Sequence, residues 1–178
     1  ELDSGTRSLR RATKMGFVAQ DDVFPQGLSV QDIIRARLDS ESLEDHEKET
    51  RISKVLTRTG FDDFDKPAHL LSGGWRKRLG IAREMALDPD LLLLDEPTND
   101  LDVITLNVLE SFLLDFPGNL IVVSHDRYFM DKIVDSLFVF RGDGIVENFP
   151  GNYTDYRTYE DSKPREKTVK IEKKQVNI

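Results

Sequence analysis

Apolar and polar positions fall into blocks along this chain, and the block lengths alternate between those of buried strands and those of helices. The run Leu91-Leu92-Leu93-Leu94 is apolar at every position, as a strand covered on both faces by helices must be. Lys14 to Ala19 reads as a second short buried strand, ending at Gln20, and Leu120 to Val123 as a third. Ser29-Val30-Gln31-Asp32 is a capping box that opens a helix through about Leu38. Ser42-Leu43-Glu44-Asp45 opens another, with Ile52, Val55 and Leu56 at helical spacing and Gly60 as its stop. Ser72 caps a helix to about Leu87 whose inner side carries Leu79, Ala82, Met85 and Ala86, and Asp88-Pro89-Asp90 ends it. Further helices are predicted near Ile104 to Leu114 and from Asp126 to about Val134. Leu137 to Phe140 and Ile145 to Glu147, around Arg141-Gly142-Asp143-Gly144, read as a hairpin. Glu1 to Arg11 is a polar turn centred on Asp3-Ser4-Gly5. After Tyr159 the chain is rich in Lys and Glu with few apolar residues, the pattern of a linker or an exposed helix start. Strand–helix alternation predicts an α/β fold with a mainly parallel sheet, and the two helices between Gln20 and Ser72 predict a small helical subdomain.

Composition narrows this only slightly. With 178 residues and 38% hydrophobic content the chain can fill one real core. No apolar segment reaches the length that spans a bilayer, and four leucines fall far short. The polar opening Glu1-Leu2-Asp3-Ser4 has no secretory-signal character. There is no cysteine, which excludes disulfides and thiolate metal sites and is compatible with a cytosolic protein. A net charge of −8 argues against a uniformly basic surface that coats nucleic acid. Local basic clusters remain at Arg7, Arg10, Arg11 and Lys14, at Arg76 to Arg78, and along the C-terminal tail. A solvated face is the bland alternative for each, and the preferred reading for the first.

The candidate chemistry sits where the leucine run stops. Asp95 and Glu96 follow it at the strand's C-terminal edge, where open α/β sheets place ligands. Asp95 suits a Mg²⁺ ion, held directly or through water, and Glu96 suits polarisation of an attacking water. A core strand that meets an acidic turn would carry the same letters, so context decides. Upstream lies Leu71-Ser72-Gly73-Gly74-Trp75-Arg76-Lys77-Arg78, and downstream Ser124-His125-Asp126-Arg127. Two glycines opening a helix cost roughly 1 kcal/mol each relative to alanine. Close packing explains them structurally; a backbone that must approach a phosphate explains them functionally. No stretch fits Gly-x-x-x-x-Gly-Lys-Ser/Thr, and Arg7 in Gly5-Thr6-Arg7 has neither the spacing nor the hydroxyl.

The order Leu71-Ser72-Gly73-Gly74, then Asp95-Glu96, then Asn99-Asp100-Leu101-Asp102, then His125 resembles the ATP-binding-cassette ATPases. That resemblance implies a P-loop NTPase-like core in which two nucleotide-binding domains sandwich two ATP molecules with Mg²⁺. It implies that Gln20 contacts Mg²⁺ and the attacking water, Asp95 holds the metal, and Glu96 and His125 carry the hydrolysis. Ser72, Gly73 and Gly74 would face ATP held by a partner domain, and Asp102 would link the two halves. Asp100 stands where the family more often has His. Trp75 replaces the usual Gln or Glu; of a core position and exposure near a partner surface, the second is preferred. His46 and His69 receive no role.

Four details resemble the ABC-F proteins, particularly the Uup-like group, over about residues 3 to 160. These are Trp75-Arg76-Lys77-Arg78-Leu79, Glu96-Pro97-Thr98-Asn99-Asp100-Leu101-Asp102, Ser124 to Phe129, and Phe149-Pro150-Gly151-Asn152-Tyr153-Thr154-Asp155-Tyr156. They imply a soluble, cytoplasmic ATPase that acts on the ribosome, with a second cassette in the same chain or a homodimer, and no membrane insertion. The alternative is the ATP-binding subunit of a membrane transporter. On this resemblance the chain begins after the P-loop and is a truncated cassette. Its expected parts are a remnant of the core sheet with Gln20 (1–26), a helical subdomain (27–70), the ATPase core (71–160) and a charged, RNA-contacting linker (161–178).

Overall fold

The computed structural model describes residues 12–99 and 101–163. They divide between Val134 and Asp135 into two compact units.

The first unit is built on a three-stranded parallel sheet in the order β1 (Met15–Val18), β2 (Leu91–Asp95), β3 (Asn119–Val123). Phe17, Leu93 and Ile121 share one row of the register, and Val18, Leu94 and Val122 the next. Successive side chains point to opposite faces, so these rows belong to the two sides of the sheet. On one side Val18, Leu92 and Leu94 are buried with Ile81, Leu109, Phe112, Leu113 and Phe129. These come from α3 (Gly73–Met85), α4 (Val103–Leu114) and α5 (Arg127–Ile133). The other side differs from the expectation of a strand covered on both faces. Leu91 and Leu93 are only half-buried, and Phe17, Ile121 and Val123 are more than a third exposed.

The helical part packs α1 (Val30–Leu38) and α2 (Asp45–Arg58) against α3. Val30, Ile33, Ile34 and Leu38 meet Ile52, Val55, Leu56, Leu79, Ala82 and Ala86 in one core. Ser29 and Asp32 form the expected reciprocal cap on α1. On α2 the box is Glu44 with Glu47 instead of one based on Ser42. A box needs the N-cap and the third helical residue to reach back to each other, and here that pair lies two residues further on. Gly60 ends α2 at φ +81°, a left-handed conformation that glycine adopts without steric cost.

Helix α3 is buried on more than its predicted face, because it carries both the sheet and the helical part. Lys77, Arg78, Gly80, Ile81 and Glu84 are buried beside Leu79 and Ala82. Of the basic cluster Arg76 to Arg78, Arg76 alone is exposed, so a solvated face does not account for it. The expected exposure of Trp75 is corrected. It is half-buried, edge-on to Phe61 at 4.9 Å, with the Arg78 guanidinium 4.5 Å above its ring.

The second unit is an antiparallel hairpin, β4 (Ser136–Gly142) and β5 (Ile145–Pro150), followed by α6 (Tyr153–Ser162). The turn carries positive φ at Gly142, Asp143 and Gly144. Helix α6 stands where the hydrophobic pattern predicts no element, and Asn152 and Asp155 open it with a capping box. Its Tyr156 and Tyr159 rings lie 5.5 and 5.4 Å from Phe149. Arg141 ties the hairpin to the helix, pairing with Glu147 at 2.8 Å and Glu160 at 2.6 Å. The expectations for Arg7, Arg10 and Arg11, and for the linker beyond Lys163, lie outside the described residues.

Candidate active site

The C-terminal edge of the parallel sheet gathers the first set of predicted residues. The Glu96 amide donates to the Val123 carbonyl (2.8 Å), extending the β2–β3 ladder by one step. The chain then turns at Glu96 into the left-handed region, φ +42°. For a residue with a Cβ that conformation costs about 1–2 kcal/mol, and such strain gathers where geometry serves a function. The turn leaves the Glu96 side chain 9% exposed against His125. His125 Nε2 lies 3.2 Å from Glu96 Oε1, while the His125 backbone amide donates to Oε2 at 3.3 Å. One carboxylate is thus held from two directions by one residue. The imidazole itself is 97% exposed, so it is not a buried structural histidine.

Two residues support this loop. Ser124 Oγ accepts from the Asp126 amide (3.0 Å) and lies 3.5 Å from the Thr98 hydroxyl. Asp126 caps α5 by accepting from the Phe129 amide at 3.1 Å. Asp95 is the last residue of β2 and half-buried. Gln20 is exposed, two positions past Val18, which pairs with Leu94. Asp95 and Gln20 therefore leave adjacent strands at the same edge. Among the described residues no three His, Asp or Glu side chains form a metal-binding cluster. A single carboxylate with an amide suits Mg²⁺, which takes one or two carboxylates and fills its shell with water and phosphate oxygens.

The second set lies at the N-termini of α3 and α4. Ser72 has the backbone of an N-cap, yet its hydroxyl makes no capping hydrogen bond. Ser72 and Gly73 are exposed and Gly74 is buried. A methyl group at Gly74 would find its nearest neighbour, Thr105 Oγ1, at 3.5 Å, an ordinary contact. Close packing therefore does not demand glycine there. Asp102 caps α4, accepting from the Thr105 amide and hydroxyl, each at 2.8 Å. The amide bond holds its carboxyl below the usual carboxylate range, and the hydroxyl adds to this. Arg78 donates to the same Thr105 hydroxyl at 2.8 Å, so α3 and the turn before α4 share one hydrogen-bonded chain. Burial lowers the Arg78 guanidinium, and the charge of Asp102 partly offsets this.

Sequence reasoning missed the polar residues of α3 that reach the Gln20 segment. Lys77 Nζ donates to the carbonyls of Ala19 (2.8 Å) and Gln20 (2.5 Å). Arg83 pairs with Asp22 at 3.1 Å and with Glu84 at 2.8 Å, and Arg37 of α1 reaches Glu84 at 3.1 Å. Burial raises the Asp22 carboxyl against the pull of Arg83 and Lys77. The available signal was charge at positions where a helix packed on two sides must be buried, which is visible only once both partners are known.

A family model described as "ABC transporter" matches residues 2–99. The chain is 39% identical over 160 residues to the energy-dependent translational throttle protein EttA of Escherichia coli (strain K12), covering 88% of this chain and 28% of that protein. It is 35% identical over 167 residues to the ATP-binding protein Uup of Haemophilus influenzae, covering 94% of this chain and 25% of that protein. Among solved structures, an ATP-binding subunit of an ABC transporter superposes with a TM-score of 0.70 at 18% identity, over 83% of this chain and 62% of that one. This last likeness concerns the fold. The chain spans about a quarter of the length of these curated relatives.

Proposed function

The chain belongs to the ATP-binding-cassette family, and on that premise we propose that it forms part of the nucleotide-binding domain of a soluble, cytoplasmic ABC-F ATPase that works on the ribosome in translation. In this reading Glu96 accepts a proton from the water that attacks the terminal phosphate of ATP. His125 holds the carboxylate and the water in line. Asp95 and Gln20 would hold Mg²⁺, which when bound would neutralise charge on the phosphates. Ser72, Gly73 and Gly74 present free backbone amides and an unused hydroxyl at the start of α3, suited to the phosphates of ATP bound by a second cassette. That second cassette lies in the same chain or in a second copy. Asp102 stabilises the turn that borders it. The Glu96–His125 arrangement carries the reading: a strained backbone places a nearly buried carboxylate within reach of an exposed imidazole.

The translational setting rests on the name of EttA and on the resemblance of the motifs to the ABC-F proteins. Transporter subunits share the fold, which keeps the ATP-binding subunit of a transporter as a second reading. No helix among the described residues is long and apolar enough to cross a membrane, and the same is expected of a transporter's ATPase subunit. The two are separated with the full-length protein carrying Glu96→Gln. Removing the base lowers turnover by about 10²–10⁴-fold while the isosteric amide preserves ATP binding. The trapped protein should co-sediment with ribosomes in ATP. Recovery with membranes and not with ribosomes would favour the transporter reading, and turnover at the wild-type rate would remove Glu96 from the mechanism.

A further inference from the structure

Three side-chain features of α3 converge on the four residues that follow β1. Lys77 is 5% exposed, and its ammonium group spends two hydrogen bonds on the consecutive carbonyls of Ala19 and Gln20. A buried ammonium tolerates low dielectric only when such acceptors surround it. Two residues further on, the Asp22 side chain is 6% exposed and folds back onto the helix. It lies in the hollow left by Gly80, where an added Cβ would stand 2.0 Å from Asp22 Oδ2 and 2.8 Å from Cγ. Arg83, one turn along, fixes the other oxygen at 3.1 Å. Its Oδ2 is buried without a hydrogen-bond partner, so any side chain at position 80 must push the Asp22 carboxylate out of the hollow and off Arg83.

We propose that Lys77, Gly80 and Asp22 are positioning residues that lock the Ala19–Asp22 backbone onto α3 and thereby hold Gln20 at the edge of the ATP site. The lock rests on the ATPase reading above for its consequence, but not for its existence. The Gln20 side chain reaches outward while its main-chain carbonyl is tied to α3, so the amide points from a fixed base. The same network runs on through Arg83 and Glu84 to Arg37 on α1. Backbone held in this way acts like the outer shell of a metal site, whose loss typically costs about 10–100-fold in affinity or activity.

The test uses the full-length protein with Gly80→Ala, Lys77→Gln and the isosteric Asp22→Asn, beside wild type and Glu96→Gln. The first readout is amide hydrogen exchange of the peptide spanning residues 19–24 without nucleotide, compared with that of β2. The second is the Mg²⁺ concentration giving half-maximal ATP turnover. The expected result is faster exchange confined to 19–24 and a Mg²⁺ midpoint raised by about tenfold, with melting unchanged in at least Asp22→Asn. Adding Asp22→Ala to Gly80→Ala should do no further harm, since removing the carboxylate makes room for the methyl group. Unchanged exchange in all three variants overturns the lock. Faster exchange with an unmoved Mg²⁺ midpoint overturns its positioning role. If wild type does not turn over, or Glu96→Gln matches it, the ATPase reading fails instead, and the exchange measurement still decides whether the lock exists.

Discussion

At the scale of single residues, Gly74 separates the two explanations of the double glycine that opens α3. The space around it admits a methyl group at 3.5 Å from Thr105 Oγ1, and its φ is not among the positive ones. Alanine there should gain up to about 1 kcal/mol of helix propensity. Gly74→Ala is therefore expected to melt at or above the wild-type temperature. If α3 opens on a phosphate as proposed, the full-length variant should nevertheless lose ATP turnover. A destabilised variant with normal turnover would return the glycine to a packing role. Asp102 offers the complementary case. Its carboxylate caps α4 through Thr105, so Asp102→Ala should cost about 1 kcal/mol in urea denaturation, and Asn should restore most of it. Equal loss in both variants would show that charge, and not the cap, is what the fold uses.

At the scale of elements, the tie between the β4–β5 hairpin and α6 is electrostatic as well as aromatic. Arg141 and then Lys163 hydrogen-bond Glu160 and hold its carboxyl down to about 2, from an ordinary value of 4.5. A depressed carboxylate contributes stability that is complete above its unfolded pKa and is lost as pH falls through the folded one. The attachment of α6 should thus weaken between about pH 4.5 and pH 2. Carbon-13 titration of the Glu160 carboxyl should show a midpoint near 2, moving up in high salt as the ion pairs are screened; a midpoint near 4.5 would mean that the bridge does not form in solution. Such elements differed in how far the sequence announced them. The capping box at Ser29, the glycine stop at 60 and the leucine strand are local signals, and each sits where its residues place it. Helix α6 carried an equally local box at Asn152, but its amphipathic face is two tyrosines against Phe149, too few to stand out from a polar tail. The burial of Lys77, Arg78 and Glu84 was not legible, since it depends on α3 being packed by the sheet and the helical part at once. The Glu96–His125 contact joins residues 29 apart in sequence; their types and order were readable, their meeting only through the β2–β3 pairing.

At the scale of the whole molecule, the described residues assemble two half-collections of groups and no phosphate cradle. Glu96 and His125 meet at the sheet edge, and Ser72 to Gly74 open α3 beside Thr105. An ATPase of this family needs backbone amides that wrap the β- and γ-phosphates and a lysine that reaches them. No Gly-x-x-x-x-Gly-Lys-Ser/Thr stretch occurs among these 178 residues, and Lys77, beside the Gln20 segment, gives its ammonium group to the carbonyls of Ala19 and Gln20. Glu96 without an anchored γ-phosphate has no in-line water to activate, since positioning supplies much of the rate in phosphoryl transfer. The 178-residue chain by itself is therefore expected to show no Mg²⁺-dependent ATP turnover above that of its own Glu96→Gln variant. In the full-length protein turnover should depend on Glu96. Robust turnover by the isolated chain, abolished by Glu96→Gln, would mean that residues of this chain cradle the phosphates in a way the motif does not describe.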